Sequence, residues 1–303
     1  MGRRRPEDLI NSALQPNAEA AVTSTQKEID VSYSVSNEFF ELWLDENMHY
    51  TSAAYDREGM SLEEAQEQKA RVLYDFAELD ETKMVLDIGC GWGSAIECMT
   101  RFGLKEGHGI TLSTEQIAYC RDRNIPNAKF WLQDYALFEP PKKYDGLVSI
   151  EMIDHLCSPA QARKGMAVQL YRDYFNKLAE WVEPGAAFGF QAILRNRVPR
   201  KRADLEDLAF TADVIFPGGL NPRIEELVVA INPKWEIEQL IMRRADYGKT
   251  TAEWYRRLQL HEDKIRSTWG DQVYDDYDRY LATCVKAFEK HWSGDVQMKL
   301  RRI

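Results

Sequence analysis

The sequence contains no apolar run long enough to cross a membrane, and it has too few basic residues for nucleic acid to be its main partner. Of its 303 residues, 39 are Lys or Arg and 49 are Asp or Glu, which gives a formal net charge of −10. A bilayer span needs about 20 consecutive apolar residues, and binding to phosphates depends on a basic surface. We therefore expect no integral membrane association and no nucleic acid partner.

Cysteine is also scarce, and its positions show no metal-ligand spacing. An odd number of scattered cysteines predicts reduced, mostly buried thiols and no metal site. The five are Cys90, Cys98, Cys120, Cys157 and Cys284. The run Met1–Pro6 is basic but no hydrophobic segment follows it, so a cytoplasmic location is expected.

The chain is long enough for one large domain. Residues 1–30 have no strong periodicity and predict a flexible N-terminal arm with some helical character; a single domain is expected over 31–303. Ser61 and Glu64 have the spacing of a capping box. The helix that follows has one face formed by Ala65, Lys69, Val72, Leu73 and Phe76.

The most informative stretch is the run Val85–Gly93. Its apolar start suits a buried parallel strand over 84–88, and glycines alternate at positions 89, 91 and 93 before a helical pattern begins at Ser94. Free N–H groups at a helix N-terminus can bind an anion such as a carboxylate. The spacing differs from the G-x-G-x-x-G of dinucleotide sites. Together with Asp87 it resembles motif I of S-adenosylmethionine-dependent methyltransferases.

Strands and helices alternate beyond this loop, which predicts an α/β fold with a mostly parallel sheet and helices on both faces. The predicted elements are strands 84–88, 108–112, 128–132 and 144–150, helices 114–123 and 161–182, a Pro184-Gly185 turn, and strand 186–194. A ligand is expected at the carboxyl ends of the strands.

The alternation breaks at residue 195. An insertion is expected at about 195–232, and its first part, 195–216, is predicted to be a helical lid over the site. The later predicted elements are helix 222–231, strand 235–242, helices near 249–267 and 271–290, and a last edge or antiparallel strand around 296–301.

Together the motifs resemble the cyclopropane fatty acid synthase and mycolic acid methyltransferase family over about residues 31–303. They are Tyr33–Phe40, Met48–Ser52, Leu86–Gly93, Thr111–Ser113 with Gln116, Ser149–Glu151, Ile215–Gly219, Tyr247–Thr250 and Gly294–Gln297. The resemblance implies a Rossmann-like class I methyltransferase with a seven-stranded sheet, and S-adenosylmethionine as its cofactor.

The resemblance also implies the residues that contact the cofactor. They are Tyr50 and Thr51 at the methionine carboxylate, Asp87, Gly89 and Gly91 around the methionyl and ribose part, Thr111, Leu112 and Gln116 at the ribose, Asp134 and Tyr135 at the adenine, and Ile150. An aspartate beside glycine N–H groups can balance the zwitterion, and a tyrosine ring can cover a purine face.

In this family a bound bicarbonate is thought to take a proton from a carbocation. The positions that match its cage are Ser52, Asp154, Gln191, Ile193 and Tyr247, and three of the four side chains differ from the family pattern. The cage is therefore either rebuilt or lost. If it is lost, Asp154, His155 or a water would be the base; a helix-cap or packing role is the other interpretation of His155. Tyr33 and Phe216 match positions that line the substrate channel.

The preferred hypothesis is C-methylation of an alkene carbon in an apolar small molecule or acyl chain, through a carbocation, in specialised metabolism. The alternatives are a cyclopropane synthase proper, an N-methyltransferase in which Asp154 orients an amine, and a non-catalytic cyclase that binds S-adenosylmethionine. A homo-oligomer is one further expectation. A basic cluster could contact a phosphate, a carboxylate or an acidic carrier protein, or could be a solvated loop; it comprises Arg195, Arg197, Arg200, Lys201 and Arg202.

Overall fold

Seven strands form one sheet in the computed structural model, which describes residues 35–303. The strands are β1 (Met84–Ile88), β2 (Glu106–Thr111), β3 (Ala128–Leu132), β4 (Tyr144–Ile150), β5 (Val182–Arg195), β6 (Trp235–Met242) and β7 (Ser293–Arg302). Their order in the sheet is β3-β2-β1-β4-β5-β7-β6. Only β7 runs against the others, pairing antiparallel with β5 and β6. The predicted mostly parallel, Rossmann-like sheet is confirmed.

Helices follow most of the strands. Those of the described residues are α1 (Asn37–Phe40), α2 (Leu62–Phe76), α3 (Ser94–Arg101), α4 (Thr114–Asp122), α5 (Pro159–Arg163), α6 (Ala167–Glu180), α7 (Arg202–Phe210), α8 (Ile224–Ile231), α9 (Arg244–Leu260), α10 (Glu262–Trp269) and α11 (Asp271–Glu289). The arm predicted over 1–30, the first residues of the domain predicted over 31–303 and the candidate substrate residue Tyr33 lie outside the described range.

The helices cover both faces of the sheet, because neighbouring side chains of a strand point to opposite sides. Leu86 and Ile88 of β1 pack in the same cluster as residues of α6, whereas Val85 packs with α2 and α3. Helix α2 begins with the predicted capping box: the Glu64 N–H donates to Ser61 Oγ at 3.2 Å, and the Ser61 N–H donates to Glu64 Oε2 at 2.8 Å. The capping box defines the start of α2, and Leu73 and Tyr74 of this helix pack with Val85 of the sheet.

Three predicted elements were wrong in detail. The helix predicted over 161–182 is divided into α5 and α6, because Gly165 adopts a φ of +77° between them. Pro184 and Gly185 lie within β5 instead of forming a turn before it, and the β4–β5 register shifts nearby. The helix predicted near 249–267 is divided into α9 and α10. Strand β7 is antiparallel, one of the two alternatives predicted for it, and lies between β5 and β6.

The region that begins at residue 195 contains α7, a π-helical turn at Thr211–Ile215, and α8. Helix α7 is held against α11 by ion pairs of Asp207 with Arg279 and of Asp204 with Lys286. Closure of this region as a lid stays a prediction. Within 35–303, no helix is both long and apolar enough to cross a membrane. The five cysteines are free thiols; Cys284 is half-buried and the other four are buried, as predicted.

Candidate active site

The loop after β1 depends on glycine for its shape. Gly89, Gly91 and Gly93 have φ angles of +82°, +53° and +79°, a region that is unfavourable for residues with a Cβ. A Cβ on Gly89 would also lie 2.8 Å from Met152 Cγ. The loop therefore turns tightly into α3 and leaves room beside its backbone for a ligand.

Asp87, at the end of β1, is a buried carboxylate with an unpaired oxygen. It is 2% exposed, and no described residue donates a hydrogen bond to its Oδ1. Burial raises the pKa of Asp87 to about 7, and the Lys69 ammonium opposes that rise. Buried acceptors are almost always hydrogen-bonded. An orphaned oxygen at the carboxyl end of the sheet therefore fits a ligand that brings hydroxyl or ammonium donors, as S-adenosylmethionine does.

One cavity of about 480 Å³ opens at this edge of the sheet. The structure brings every residue predicted to contact the cofactor to its wall: Tyr50, Thr51, Asp87, Gly89, Gly91, Thr111, Leu112, Gln116, Asp134, Tyr135 and Ile150. Individual contacts of these residues with the cofactor stay predictions.

Two side chains of helix α2 donate hydrogen bonds to Thr51. Gln66 Nε2 donates to the Thr51 carbonyl at 2.9 Å, and Lys69 Nζ donates to Thr51 Oγ1 at 2.7 Å. Because the hydroxyl accepts from Lys69, its own hydrogen is free to point at a ligand oxygen. The two side chains thus fix the Tyr50–Thr51 segment that is predicted to hold the methionine carboxylate.

Aromatic rings form the other end of the same cavity. Phe216 lies 6.0 Å from Tyr50 and 5.7 Å from Tyr280 between ring centroids, and Tyr247 stacks on Phe288 at 4.4 Å. Ile193, from β5, also lines this part. Aromatic faces pack against apolar substrates and attract cations. These rings and Ile193 form the part of the cavity that we call the aromatic chamber, which suits an apolar acceptor.

Three of the predicted catalytic residues converge on one carboxylate, that of Glu151. Glu151 Oε1 accepts from the Ser52 backbone N–H at 2.8 Å and from Gln191 Nε2 at 2.7 Å, and Glu151 Oε2 accepts from the Tyr247 hydroxyl at 2.7 Å. Glu151 lines the cavity, whereas Ser52 and Gln191 lie behind it, fully buried. Three of the five cage positions therefore bind a side chain of the protein itself.

Asp154 and His155 lie elsewhere on the cavity wall, in a short 3₁₀ turn, with 3.7 Å between Asp154 Oδ2 and His155 Nε2. Burial raises the pKa of Asp154, and Asp154 Oδ1 has no hydrogen-bond donor among the described residues. Asp154 accepts from none of the groups that bind Glu151. A direct role for either residue in catalysis stays a prediction.

Burial and four neighbouring groups shift the pKa of Glu151 in opposite directions. Burial raises the pKa of Glu151 to about 7, and the hydrogen bonds from Tyr247, Ser52 and Gln191 and the charge of Lys69 limit the rise. Asp295 on β7 is also buried; burial and the charge of Glu151 hold the pKa of Asp295 well above its usual range. Three hydrogen-bond donors favour the ionised form of Glu151, whereas neither carboxylate oxygen of Asp295 has a hydrogen-bond donor among the described residues.

A chain of hydrogen bonds orients the Gln191 amide. Gln297 Nε2 donates to Gln191 Oε1 at 2.7 Å, and Arg243 Nε donates to Gln297 Oε1 at 2.9 Å. Because an arginine can only donate, it fixes Gln297, which in turn fixes the Gln191 NH₂ toward Glu151. Gln191 therefore holds the Glu151 carboxylate in place; a catalytic role for Gln191 stays a prediction.

Sequence reasoning gave no role to Glu151 or Lys69. Glu151 directly follows a buried strand at the sheet edge where ligands are expected, which was a usable signal. Lys69 belongs to the predicted apolar face of α2, where a lysine is unusual, and it is 0% exposed. Both signals indicated buried charges near the site.

The replacement Gly89→Ala is expected to weaken S-adenosylmethionine binding at least about tenfold. Any Cβ at a positive φ costs about 1–2 kcal/mol, but at Gly89 it also collides with Met152. Gly59→Ala is the matched control, since Gly59 has a φ of +78° and no heavy atom lies within 4 Å of the position that a Cβ would take there. Calorimetric titration compares the two. Equal affinities would show that the close approach at Gly89 is irrelevant to the ligand.

Comparison with known proteins gives a consistent result. A family model described as mycolic acid cyclopropane synthetase matches residues 21–298. Cyclopropane mycolic acid synthase 2 of Mycobacterium bovis is 30% identical over 286 residues, which cover 88% of this chain and 92% of that protein.

Solved structures agree with the sequence match. The cyclopropane synthase MmaA2 from Mycobacterium tuberculosis has a TM-score of 0.85 at 25% identity, over 93% of this chain and 99% of that one. The mycolic acid cyclopropane synthase CmaA1, complexed with SAH and CTAB, has a TM-score of 0.82 at 22% identity, over 93% of this chain and 99% of that one. The chain therefore belongs to the mycolic acid cyclopropane synthetase family of S-adenosylmethionine-dependent methyltransferases.

Proposed function

We propose that the chain methylates an alkene carbon of an apolar small molecule or acyl chain, through a carbocation, in specialised metabolism. One observation carries this proposal: the crevice at the strand ends and the aromatic chamber are parts of one cavity. A donor held at the glycine loop would therefore face an acceptor held among Phe216, Tyr280 and Phe288. Alignment of a weak π nucleophile with the donor is the main contribution that such a site can make.

S-adenosylmethionine supplies a methyl group activated on a positively charged sulfur. Thr51 and the glycine loop would hold its carboxylate end, and Asp87 would accept from its donor groups. The apolar residues that line the cavity would exclude water, which would otherwise react with a carbocation. Tyr50 and Phe216, whose rings lie 6.0 Å apart, present faces that stabilise positive charge.

Cyclopropane formation is the second candidate, because the family and the relatives named above are cyclopropane synthases. The two reactions share the carbocation and differ in which proton leaves. Transfer to an amine nitrogen is the third candidate, and it needs no carbocation.

The basic cluster that begins at Arg195, the last residue of β5, is partly neutralised by ion pairs within the protein. Arg195 pairs with Glu226 at 2.6 Å and Arg202 with Glu206 at 2.7 Å, whereas Arg197 lines the cavity together with Val198 and Pro199. An anionic end of the substrate, or an acidic carrier that presents it, would meet Arg197 at the cavity wall. Carrier binding, a homo-oligomeric state and a cytoplasmic location stay predictions.

The test uses S-adenosylmethionine with a ¹³C-labelled methyl group. The protein is incubated with vesicles of dioleoyl phosphatidylglycerol, a panel of free alkenes, a panel of amines and a cell extract, and labelled products are identified by mass spectrometry and NMR. We expect a carbon-bound label, either as a branch or within a ring. A label on nitrogen, or stoichiometric cofactor binding with no S-adenosylhomocysteine from any acceptor, would contradict the proposal.

A further inference from the structure

We propose that the Glu151 carboxylate occupies the place of the bicarbonate implied by the family resemblance, and that it is itself the base that deprotonates the carbocation. The inference rests on the proposed function, because it assigns a residue to the proton-removal step of that reaction. In this assignment, a side chain of the protein does the work of an anion that could dissociate.

The residues present do not fit a bicarbonate in addition to Glu151. The cage positions with suitable donors are the Ser52 N–H, the Gln191 NH₂ and the Tyr247 hydroxyl, and all three already donate to Glu151 at 2.7–2.8 Å. A second anion at this point would lack these donors and would lie against a carboxylate of the same charge. No step of the reaction is therefore assigned to bicarbonate.

The backbone of Glu151 supports a functional role. Its φ is +52°, in the left-handed region that favours glycine, although its side chain is long and charged. Such strain persists where the surroundings hold it, and it concentrates at functional sites. Here the strained turn after β4 directs the carboxylate into the cage, and the Glu151 N–H is bound to the Gln191 carbonyl at 2.9 Å.

The proton step balances without another reactant. For an alkene product, a C–H bond on a carbon next to the cationic carbon breaks and its electron pair forms a C=C bond. For a cyclopropane, a C–H bond of the newly transferred methyl group breaks and its electron pair forms the third C–C bond of the ring. The proton joins Glu151 to give a neutral carboxylic acid, which returns it to water after the product leaves. Lys69 supports the ionised form before the step, and Gln191 and Tyr247 hold the carboxylate in place.

Asp154 is the competing base, since it is buried on the wall of the same cavity. The structure favours Glu151 because three aligned donors hold its carboxylate, whereas Asp154 Oδ1 has no donor among residues 35–303. A base in a fixed orientation is the better proton acceptor for a short-lived cation.

The first test measures anion binding and needs no acceptor. Sodium ¹³C-bicarbonate is titrated into wild-type protein and into Glu151→Gly, followed by NMR line broadening. Glycine suits the φ at this position and leaves a carboxylate-sized space with three donors. We expect saturable binding of bicarbonate, and of formate, to the variant and none to the wild type. Saturable binding to the wild type, or none to a variant that keeps its thermal midpoint and S-adenosylmethionine affinity, would overturn the inference.

The second test measures turnover with the acceptor found by the labelled-donor screen. In buffer purged of CO₂, the wild type is expected to keep its rate, whereas Glu151→Gly is expected to lose at least about tenfold and to recover with added bicarbonate or formate. A wild-type rate that falls when CO₂ is removed would overturn the inference. So would a Glu151→Gln variant that keeps the wild-type rate when Asp154→Asn loses it. Failure of the proposed function looks different: no carbon-bound label forms under any condition, while the binding test still gives its own result.

Discussion

Replacement of Glu151 by glutamine lowers turnover by about 10²–10⁴-fold, the range expected when a general base is lost. The amide keeps the shape of the side chain but cannot accept a proton. S-adenosylmethionine binding should change little, because Glu151 donates nothing to the glycine loop. Steady-state rates and calorimetric titration measure the two effects. Glu236→Gln, an exposed acid on β6, is the control and should match the wild type in both.

The pH dependence of this variant separates a base from a structural residue. The pKa of Glu151 is raised to about 7, so wild-type turnover should increase with pH and level off above that value. The ionisable groups that face Glu151 are Tyr247 from α9, Lys69 from α2 and Asp295 from β7. The pKa of Tyr247 is raised well above its ordinary value of 10, so Tyr247 stays protonated as Glu151 titrates, and burial and the charge of Glu151 also raise the pKa of Asp295. The residual rate of Glu151→Gln should be independent of pH over this range.

The contribution of Glu151 to the free energy of unfolding should decrease as pH rises, whereas turnover increases. A carboxyl whose folded-state pKa lies above its unfolded value stabilises the fold in its protonated form. The contribution of Glu151 is therefore present below its ordinary pKa of 4.5 and is lost as pH rises to about 7. Glu151→Gln should remove that part of the pH dependence of urea unfolding. For turnover, a Glu151→Gln variant with the pH profile and nearly the rate of the wild type would show that Glu151 is not part of the mechanism.

Replacement of Asp87 by asparagine should stabilise the protein without its cofactor while weakening S-adenosylmethionine binding. Burial raises the pKa of Asp87 from 3.8 to about 7, so its ionisation opposes folding as pH rises through that interval. Each pKa unit corresponds to about 1.4 kcal/mol, which sets the gain above pH 7 at up to about 4 kcal/mol.

The cost in affinity has a separate cause. A hydrogen bond to a charged acceptor is worth about 1.5–3 kcal/mol, so Asp87→Asn should raise the dissociation constant by about 10–100-fold. Urea unfolding at pH 5 and pH 8 measures the first effect and calorimetric titration the second. Asp122→Asn, an exposed acid on α4, should change neither. Loss of stability with unchanged affinity would mean that Asp87 is a structural residue and not a ligand of the cofactor.

Much of the fold was predictable because the strands of a parallel sheet are short, buried apolar runs. The predicted bounds of β1, β3, β4 and β6 agree with the structure. The errors arose where a single backbone torsion decides the outcome: Gly165 ends a helix, whereas Gly185 is accommodated inside a strand. The interior position of β7 depends on its pairing with β5 and β6, which an alternating pattern does not specify.

The cofactor end of the site was more predictable than the catalytic end. Glycine spacing and an acid after a strand are local signals, and the residues they indicated line one cavity. The cage is not local: Ser52 and Gln191 are 139 positions apart, yet both donate to Glu151, and Gln191 Nε2 also donates to the Ser52 carbonyl. Position-by-position transfer from the family directed attention to Asp154. The φ of Glu151, which turns its carboxylate into the cage, is a property of the folded chain alone.

The central claim is that a carbocation forms in the aromatic chamber and loses a proton within the protein. Turnover with a trideuteromethyl donor tests it most directly, with the product analysed by mass spectrometry and NMR. The account predicts a carbon-bound label that keeps three deuterons if a neighbouring carbon is deprotonated and two if the ring closes. A trideuteromethyl group on nitrogen or oxygen would contradict it.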